Sequence, residues 1–261
     1  MAYMLTERQN ELLEYIIRQH IKTGEPVGSL AITDSGKFEV SPATVRNEMQ
    51  ELVEIGLLAQ PHTSAGRIPT DRAYRYFVDE LMDPAECIVD AKSRKRLASI
   101  ASGVSSDDLH GINRVAAQTL SELSETAVIA NIEKSPDFYK TGLSELFAFP
   151  EFRAFDRMFG MTSFFDRFDM MFDQLEREFF GTGVRKRNHR FAGGITVSIG
   201  RENPFPNIKN DTLICGKYRL PSGYAGSFTM IGPVRMNYGK NIGLAQYMVG
   251  QLNEFADAHS T

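Results

Sequence analysis

Three side chains with the chemistry of DNA base recognition lie close together in one short segment. Within SPATVRNEMQELVE (41–54), Arg46 can bridge two guanine acceptors, and the amides of Asn47 and Gln50 can pair with adenine. At 100° per residue, these side chains share one side of a helix with Ala43, which is small enough to allow close approach. The spacing predicts a recognition helix in the major groove of DNA.

The flanking residues predict where this helix begins and which elements come after it. Ser41 can cap the first turn, and Pro42 fits the first helical position. After Gly56 we expect a short strand, a polar tip and a returning strand, which together form a wing, and then a helix capped by Thr70. The side chains expected to contact DNA are Ser41, Ala43, Thr44, Arg46, Asn47, Gln50, His62, Thr63, Ser64, Arg67, Arg72 and Arg75.

Two helices are predicted before the recognition helix. Thr6 and Gln9 form a capping pattern ahead of an apolar stripe, in a helix that runs to about Thr23, and a short second helix starts at Gly28 and Ser29. Val45, Met49, Leu52 and Val53 give the recognition helix a core side. This order of elements is typical of a winged helix-turn-helix, which makes double-stranded DNA the expected partner.

The overall charge counts against an indiscriminate nucleic-acid coat protein. The net charge is -4, and the first 83 residues hold 8 Lys or Arg against 13 Asp or Glu. The local balance differs, because the charged residues from His62 to Tyr76 sum to +2. A specific binder needs only such a local basic surface.

The first 83 residues contain three long motifs, GEPVGS (24–29), SPATVRNEM (41–49) and QPHTSAGRIPTDRAYRYFVD (60–79). These motifs resemble the heat-inducible transcription repressor HrcA family. The resemblance implies a repressor that binds an inverted-repeat operator, called CIRCE, upstream of chaperone operons until heat stress. It also implies the chaperonin GroEL as a modulator. Since one winged helix reads one half-site, an inverted repeat calls for a homodimer.

The second half of the chain is rich in phenylalanine. The segment 147–180 holds 11 of the 18 phenylalanines, which we expect in two short helices. A stripe at helical spacing suits either a core or a partner helix, and no polar group is spaced to orient a cofactor. We therefore expect a dimerisation surface, made by Phe165, Phe168, Phe172, Leu175 and Phe179.

The resemblance extends into this half through LSEL (120–123), PEF (150–152), IGRE (199–202) and IGPVRMNY (231–238). It implies a GAF-like α/β domain with an inserted dimerising segment. Because only about 25 residues separate LSEL from PEF, we expect an abbreviated domain. The predicted fold class is α+β: a winged helix-turn-helix domain over 1–83, a linker and helical connector over 84–146, and a truncated GAF-like domain over 147–261.

Two basic segments remain open to two interpretations. Lys92, Arg94, Lys95 and Arg96 suit a solvated helix face or a supplementary phosphate contact. The run 185–190 suits a solvated hairpin or an insertion, and its role is left open.

No catalytic or metal-binding motif is readable, and we expect neither an enzyme, nor a metal, nor a cofactor. The five histidines lack metal-ligand spacing, and Gly181 and Gly183 lack the context of a nucleotide fingerprint. Cys87 and Cys215 are far apart, as expected for reduced thiols in a cytoplasmic protein. No apolar run approaches the length of a membrane helix.

Three functions are consistent with these features. The leading hypothesis is a repressor of heat-shock operons. The second hypothesis keeps the DNA-binding domain and makes the carboxy-terminal domain a small-molecule sensor at other promoters. The third treats the winged helix as a protein-interaction module, which would bind its partner without retarding any DNA.

Overall fold

The computed structural model describes residues 4–133, 135–180, 191 and 193–259; the side chains at 101, 102, 175, 176 and 178–180 are not among those described. The predicted basic segment 185–190 lies outside the described residues. The chain forms two compact units, Met1–Met82 and Asp83–Thr261. Each unit has its own buried apolar core.

The first unit is a winged helix-turn-helix. Its elements are α1 (Glu7–Thr23), α2 (Ser29–Asp34), α3 (Pro42–Glu54), β1 (Leu58–Ala59), β2 (Ile68–Pro69) and α4 (Asp71–Tyr76). The predicted capping box is present. The backbone N–H of Gln9 donates to Thr6 Oγ1, and Oε1 of Gln9 accepts from the backbone N–H of Thr6. The apolar sides of α1 and α3 are buried, with Leu13, Ile16 and Leu52 fully inaccessible.

The second unit is built around one antiparallel sheet. Its elements are α5 (Ala91–Ala98), α6 (Ile100–Gly103), α7 (Leu109–Ser124), β3 (Ala127–Ile132), β4 (Phe138–Thr141), α8 (Leu143–Phe147), α9 (Phe155–Phe180), β5 (Ile195–Ile199), β6 (Asp211–Arg219), β7 (Ala225–Pro233) and α10 (Tyr238–Ala258). The strand order is β4-β3-β7-β6-β5. The fold class is α+β, as predicted.

The structure places β3 and β4 in this sheet, although the sequence assigned 84–146 to a linker and helical connector. Strand β3 is buried along its whole length and pairs with β7, which lies about one hundred residues later in the chain. Such a long-range pairing leaves no signal in the local sequence. The boundary predicted at residue 146 therefore separates β3 and β4 from the sheet to which they belong.

Both faces of the sheet are covered. Leu213 and Cys215 of β6 belong to a core cluster with Phe164 and Phe168 of α9. Tyr218, three residues after Cys215, points to the other face, because successive strand side chains alternate, and its O–H donates to Asn113 of α7. Helix α9 therefore covers one face, and α7 lies against the other.

Helix α9 corrects two expectations about the phenylalanine-rich segment. The segment 155–180 is one helix of 26 residues instead of two short ones, because it contains no proline and Gly160 alone is tolerated within it. Phe165 and Phe168 are buried in the core of their own chain, and Phe172 packs against that core. The predicted dimerisation surface is therefore wrong at Phe165 and Phe168. The side chains of Leu175 and Phe179 lie outside those described.

A buried ion pair joins the amino-terminal end of α9 to the sheet. Nη2 of Arg157 lies 2.7 Å from Oδ1 of Asp211, and its guanidinium carbon lies 4.9 Å from the centroid of the Phe152 ring. Asp211 has no exposed surface, and Nδ2 of Asn203 donates to its backbone carbonyl at 2.6 Å. Burial raises the pKa of the Asp211 carboxyl from 3.8 to about 6; Arg157 lowers this pKa and Glu151 raises it.

This pKa predicts that Asp211 makes the fold less stable as the pH rises. A carboxyl that holds its proton more tightly in the folded state contributes its full stability below the unfolded pKa of 3.8, and loses it as the pH rises through about 6. The loss is about 3 kcal/mol of unfolding free energy. Urea unfolding of the full chain should show it as a change in the difference between wild type and Asp211→Asn from pH 4 to 7.

The Asp211→Asn variant keeps a hydrogen-bonding partner for Arg157 and has no titratable group at this position, so the other carboxyls cancel in the difference. A difference that stays constant with pH, or that favours wild type more as the pH rises, would contradict this assignment. The second result would mean that Arg157 outweighs the desolvation of the carboxylate.

Candidate nucleic-acid interface

Helix α3 begins where its sequence signals predict. The backbone N–H of Thr44 donates to Ser41 Oγ at 3.1 Å, and Pro42 occupies the first turn. Val45 and Met49 are buried, which fixes the rotation of the helix against the unit. The capping role of Ser41 places this predicted DNA contact at the helix start, where backbone N–H groups also suit a phosphate.

The opposite side of α3 carries the predicted base-reading residues. Ala43, Arg46, Asn47 and Gln50 are all exposed. Arg46 and Asn47 have no hydrogen-bond or ion-pair partner among the described residues. Their donors and acceptors are therefore free for a ligand, and they occupy adjacent positions on a helix held by its buried side. This is the geometry that direct readout in the major groove requires.

A contact that sequence reasoning missed holds α3 in place from its other flank. The guanidinium of Arg8 on α1 forms an ion pair with Glu48, which is 7% exposed. Glu48 is buried, and an unpaired carboxylate at this position would destabilise the unit. Residues 8 and 48 have no local relation in the sequence, so no pattern could have indicated this pair.

The wing is a tight and well-connected hairpin. Strands β1 and β2 pair antiparallel, and Nε2 of Gln60 donates to the carbonyls of Thr63 and Ala65 at 2.8 and 3.2 Å. A Cβ atom at Gly66 would lie 2.4 Å from the carbonyl oxygen of Val27, so only glycine fits there. The tip residues His62, Thr63 and Ser64 are exposed.

Arg67 does not extend from the wing tip as a free side chain. Its backbone exchanges two hydrogen bonds of 2.9 Å with Val27, and Nη2 donates to Gln50 Oε1 at 3.3 Å. Its Nε is buried and has no hydrogen-bond partner among the described residues. Arg67 therefore links the wing to α3, and it can position Gln50.

The two arginines of α4 differ in availability. Arg72 is exposed, whereas Arg75 is half-buried and forms an ion pair with Asp79 at 3.2 Å. Thr44 is also half-buried, and its hydroxyl lies 3.0 Å from Ser41 Oγ. The exposed predicted contacts are Ser41, Ala43, Arg46, Asn47, Gln50, His62, Thr63, Ser64 and Arg72.

Two family models cover this chain almost end to end. Residues 4–82 match the winged helix-turn-helix transcription repressor, HrcA DNA-binding model, and residues 78–242 match the HrcA protein C terminal domain model. The chain belongs to the HrcA family. It is a DNA-binding transcription repressor of that family, and the exposed side of α3 lies within the matched DNA-binding domain.

Individual HrcA relatives are similar along most or about half of the chain. A heat-inducible transcription repressor HrcA of Desulfitobacterium hafniense is 26% identical over 348 aligned positions, which cover 96% of this chain and 97% of that protein. One of Natranaerobius thermophilus is 38% identical over 146 positions, which cover 56% of this chain and 41% of that protein. Because this chain has 261 residues, the first relative carries segments that this HrcA family member lacks.

A solved structure supports the fold. The crystal structure of a hypothetical protein at 2.2 Å resolution superimposes with a TM-score of 0.74 at 20% identity, over 98% of this chain and 100% of that one. Within the described part of this HrcA family member, none of the helices is both long and apolar enough to cross a membrane. The same residues contain no cluster of three or more His, Cys, Asp or Glu that could hold a metal ion.

Proposed function

We propose that this chain represses heat-shock chaperone operons by binding a CIRCE-type inverted repeat as a homodimer in the cytoplasm, without enzymatic activity. The observation that carries the proposal is the pair Arg46 and Asn47, exposed and without partners among the described residues, on a helix whose other side is buried. Family membership supports repression, and the names of the relatives support relief by heat.

The homodimer requires a surface other than the buried stripe of α9. Phe155 and Phe159 are 71% and 63% exposed, and their rings stack with centroids 6.1 Å apart. Met158, on the adjoining turn, is 38% exposed. We take these three side chains as the contact between two copies, because a two-fold operator calls for a self-complementary surface and large exposed apolar clusters mark interfaces.

The same surface supports a role for the chaperonin GroEL as a modulator. Chaperonins capture exposed apolar surface, and a monomer would expose Phe155 and Phe159. In this mechanism the chaperonin holds monomers in a folded form, and unfolded proteins compete for it during heat stress. Titration of purified chaperonin into a heated repressor should then restore operator binding, and an excess of unfolded protein should remove it.

Binding to a duplex with the full inverted repeat tests the central proposal. The matched competitors are a single half-site and a shuffled duplex of the same length, each measured by fluorescence anisotropy over a range of salt concentrations. We expect the full repeat to bind at least about 1,000-fold more tightly than the shuffled duplex. Equal affinity for the repeat and the shuffled duplex would exclude specific repression, and salt-insensitive protein capture with no DNA binding would favour an interaction module.

Replacing Phe159 by glutamate is expected to give a folded monomer. Phe159 is mostly exposed, so the charge costs little within one chain, whereas two carboxylates at a two-fold contact repel and lose water. Sedimentation should show the change from dimer to monomer, and affinity for the full repeat should fall towards that for a half-site. Tyr224→Glu is the matched control, because Tyr224 is 51% exposed and lies far along the chain from α9. A dimer that persists in Phe159→Glu would place the contact elsewhere.

A further inference from the structure

One row of side chains crosses four neighbouring strands of the second unit. The strand registers place Phe138 of β4, Asn131 of β3, Ser227 of β7 and Lys217 of β6 side by side. The row lies on the face covered by α9, because residues two positions along, such as Cys215, belong to the core cluster of that face. All four side chains line one cavity of about 560 Å³.

The polarity of the sheet face changes at this row. Ala127, Leu213 and Ile231 pack against the phenylalanines of α9 in the core cluster. Asn131 and Ser227 are only 5% and 7% exposed, and the Ser227 hydroxyl donates to Asn131 Oδ1 at 2.5 Å. The amide N–H groups of Asn131 have no acceptor among the described residues. Polar side chains that line a cavity can bind a ligand there, whereas the apolar rows of the same face pack the core.

The opposite wall of the cavity comes from the second half of α9. Phe172 lies with its ring centroid 5.0 Å from that of Phe138, at an interplanar angle of 68°. Met170, which is 78% exposed, and Asp173 also line the cavity. A volume within the usual range of small-molecule sites, with two aromatic rings in a lining that also carries polar and charged side chains, suits a ligand with a flat apolar part and a charged group.

The charges around the cavity select the sign of the ligand. Asp169, Asp173, Glu133 and Lys217 line it, and Asp169 forms an ion pair with Lys140 at 2.7 Å. The carboxylates of Asp173 and Glu133 have no ion-pair partner among the described residues. With Lys217 included, the lining charge outside the Asp169 pair stays negative, which favours a cation, and aromatic rings attract a cation as well. We infer that this cavity binds a small aromatic amine, with its ring against the contacting pair Phe138 and Phe172 and its ammonium group towards Asp173.

The site lies within the second unit and does not depend on DNA binding by the first. Two probes of equal size test it: 2-phenylethylamine, a cation, and 3-phenylpropionate, an anion. The full chain has no tryptophan, so Met170→Trp gives a single fluorescent reporter at an exposed position of the cavity wall. For a probe this small we expect saturable binding of the amine with a dissociation constant of about 1–10 mM, and binding of the carboxylate at least tenfold weaker.

Charge variants locate the ammonium group. Asp173→Asn should weaken amine binding about three- to tenfold, because it removes an attraction that solvent only partly screens. Asp166→Asn is the matched control, since Asp166 is an exposed carboxylate of α9 that does not line the cavity. Thermal shift of the wild-type chain with both probes provides a second, label-free measurement that does not depend on the folding of any variant.

Two results would overturn the inference. One is a carboxylate probe that binds as tightly as the amine, which would show that the cavity does not select a cation. The other is the absence of a saturable fluorescence change and of any thermal shift with the amine up to about ten times the expected dissociation constant. Operator binding by the same preparation reports separately on the proposed repressor function. A failure of the amine site therefore leaves the repressor function measurable, and the reverse also holds.

Discussion

Arg46→Ala is expected to remove most of the discrimination between the operator and random DNA. A bidentate base contact contributes about 1–3 kcal/mol, so affinity for the operator should fall about 5- to 150-fold while affinity for a shuffled duplex changes little. Asn47→Ala should behave in the same way. The measurement is the ratio of the two dissociation constants at a fixed salt concentration, because the phosphate contribution varies with salt.

The structure makes this a test of recognition and not of folding. Arg46 and Asn47 are exposed and have no hydrogen-bond or ion-pair partner among the described residues, so their truncation removes no such interaction within the unit. The thermal midpoint of both variants should therefore match wild type. A large fall in that midpoint, or a loss of affinity that is equal for operator and shuffled DNA, would contradict the assignment of base reading to α3.

Arg72→Ala is the matched control for charge. Arg72 is exposed on α4, outside the recognition helix, and as a phosphate contact it should weaken specific and random binding alike. It should also reduce the salt dependence of log K by about one. Arg67→Ala should both reduce the salt dependence and lower the discrimination between operator and random DNA. Arg67 adds a charge near the wing, and it holds the Gln50 side chain through its hydrogen bond of 3.3 Å.

Local signals explain why the winged helix could be predicted in detail. Ser41 and Thr70 cap helices through hydrogen bonds to residues three positions later. Gly24 and Gly56 end their helices at φ values of 73° and 80°, which favour glycine. These interactions lie within a few residues of chain, so each is readable in the sequence. The Arg8 and Glu48 pair joins residues forty positions apart, and no local pattern indicates it.

The second unit is less predictable because its main interactions are distant in sequence. Asp211 and Arg157 are 54 residues apart, and only the fold shows that the Asp211 carboxylate is buried against the Arg157 guanidinium. The row from Phe138 to Lys217 depends on strand registers that connect four separate segments. An amphipathic stripe also reveals that a helix side is buried, but not whether its partner is the same chain or another one.

The α9 stripe gives the second large effect, in the replacement of Phe168 by aspartate. Phe168 is 1% exposed and packs edge-on against Phe138 and Phe164, with ring centroids 5.8 and 5.6 Å away. Loss of a buried phenylalanine costs about 3–5 kcal/mol, and an unpaired carboxylate in its place adds to that cost. The second unit should therefore unfold, since the whole stability of a domain is about 5–15 kcal/mol.

The first unit should stay folded in this variant, because its core is separate. Limited proteolysis should then leave a resistant fragment close to residues 1–82, and circular dichroism should show partial loss of helix. The comparison with Phe159→Glu is decisive, because the two residues lie on opposite sides of one helix and differ in exposure from 1% to 63%. If Phe168→Asp gave instead a folded monomer with its second unit resistant to protease, the buried stripe would be a contact between chains after all, and the interface proposed at Phe155 and Phe159 would be wrong.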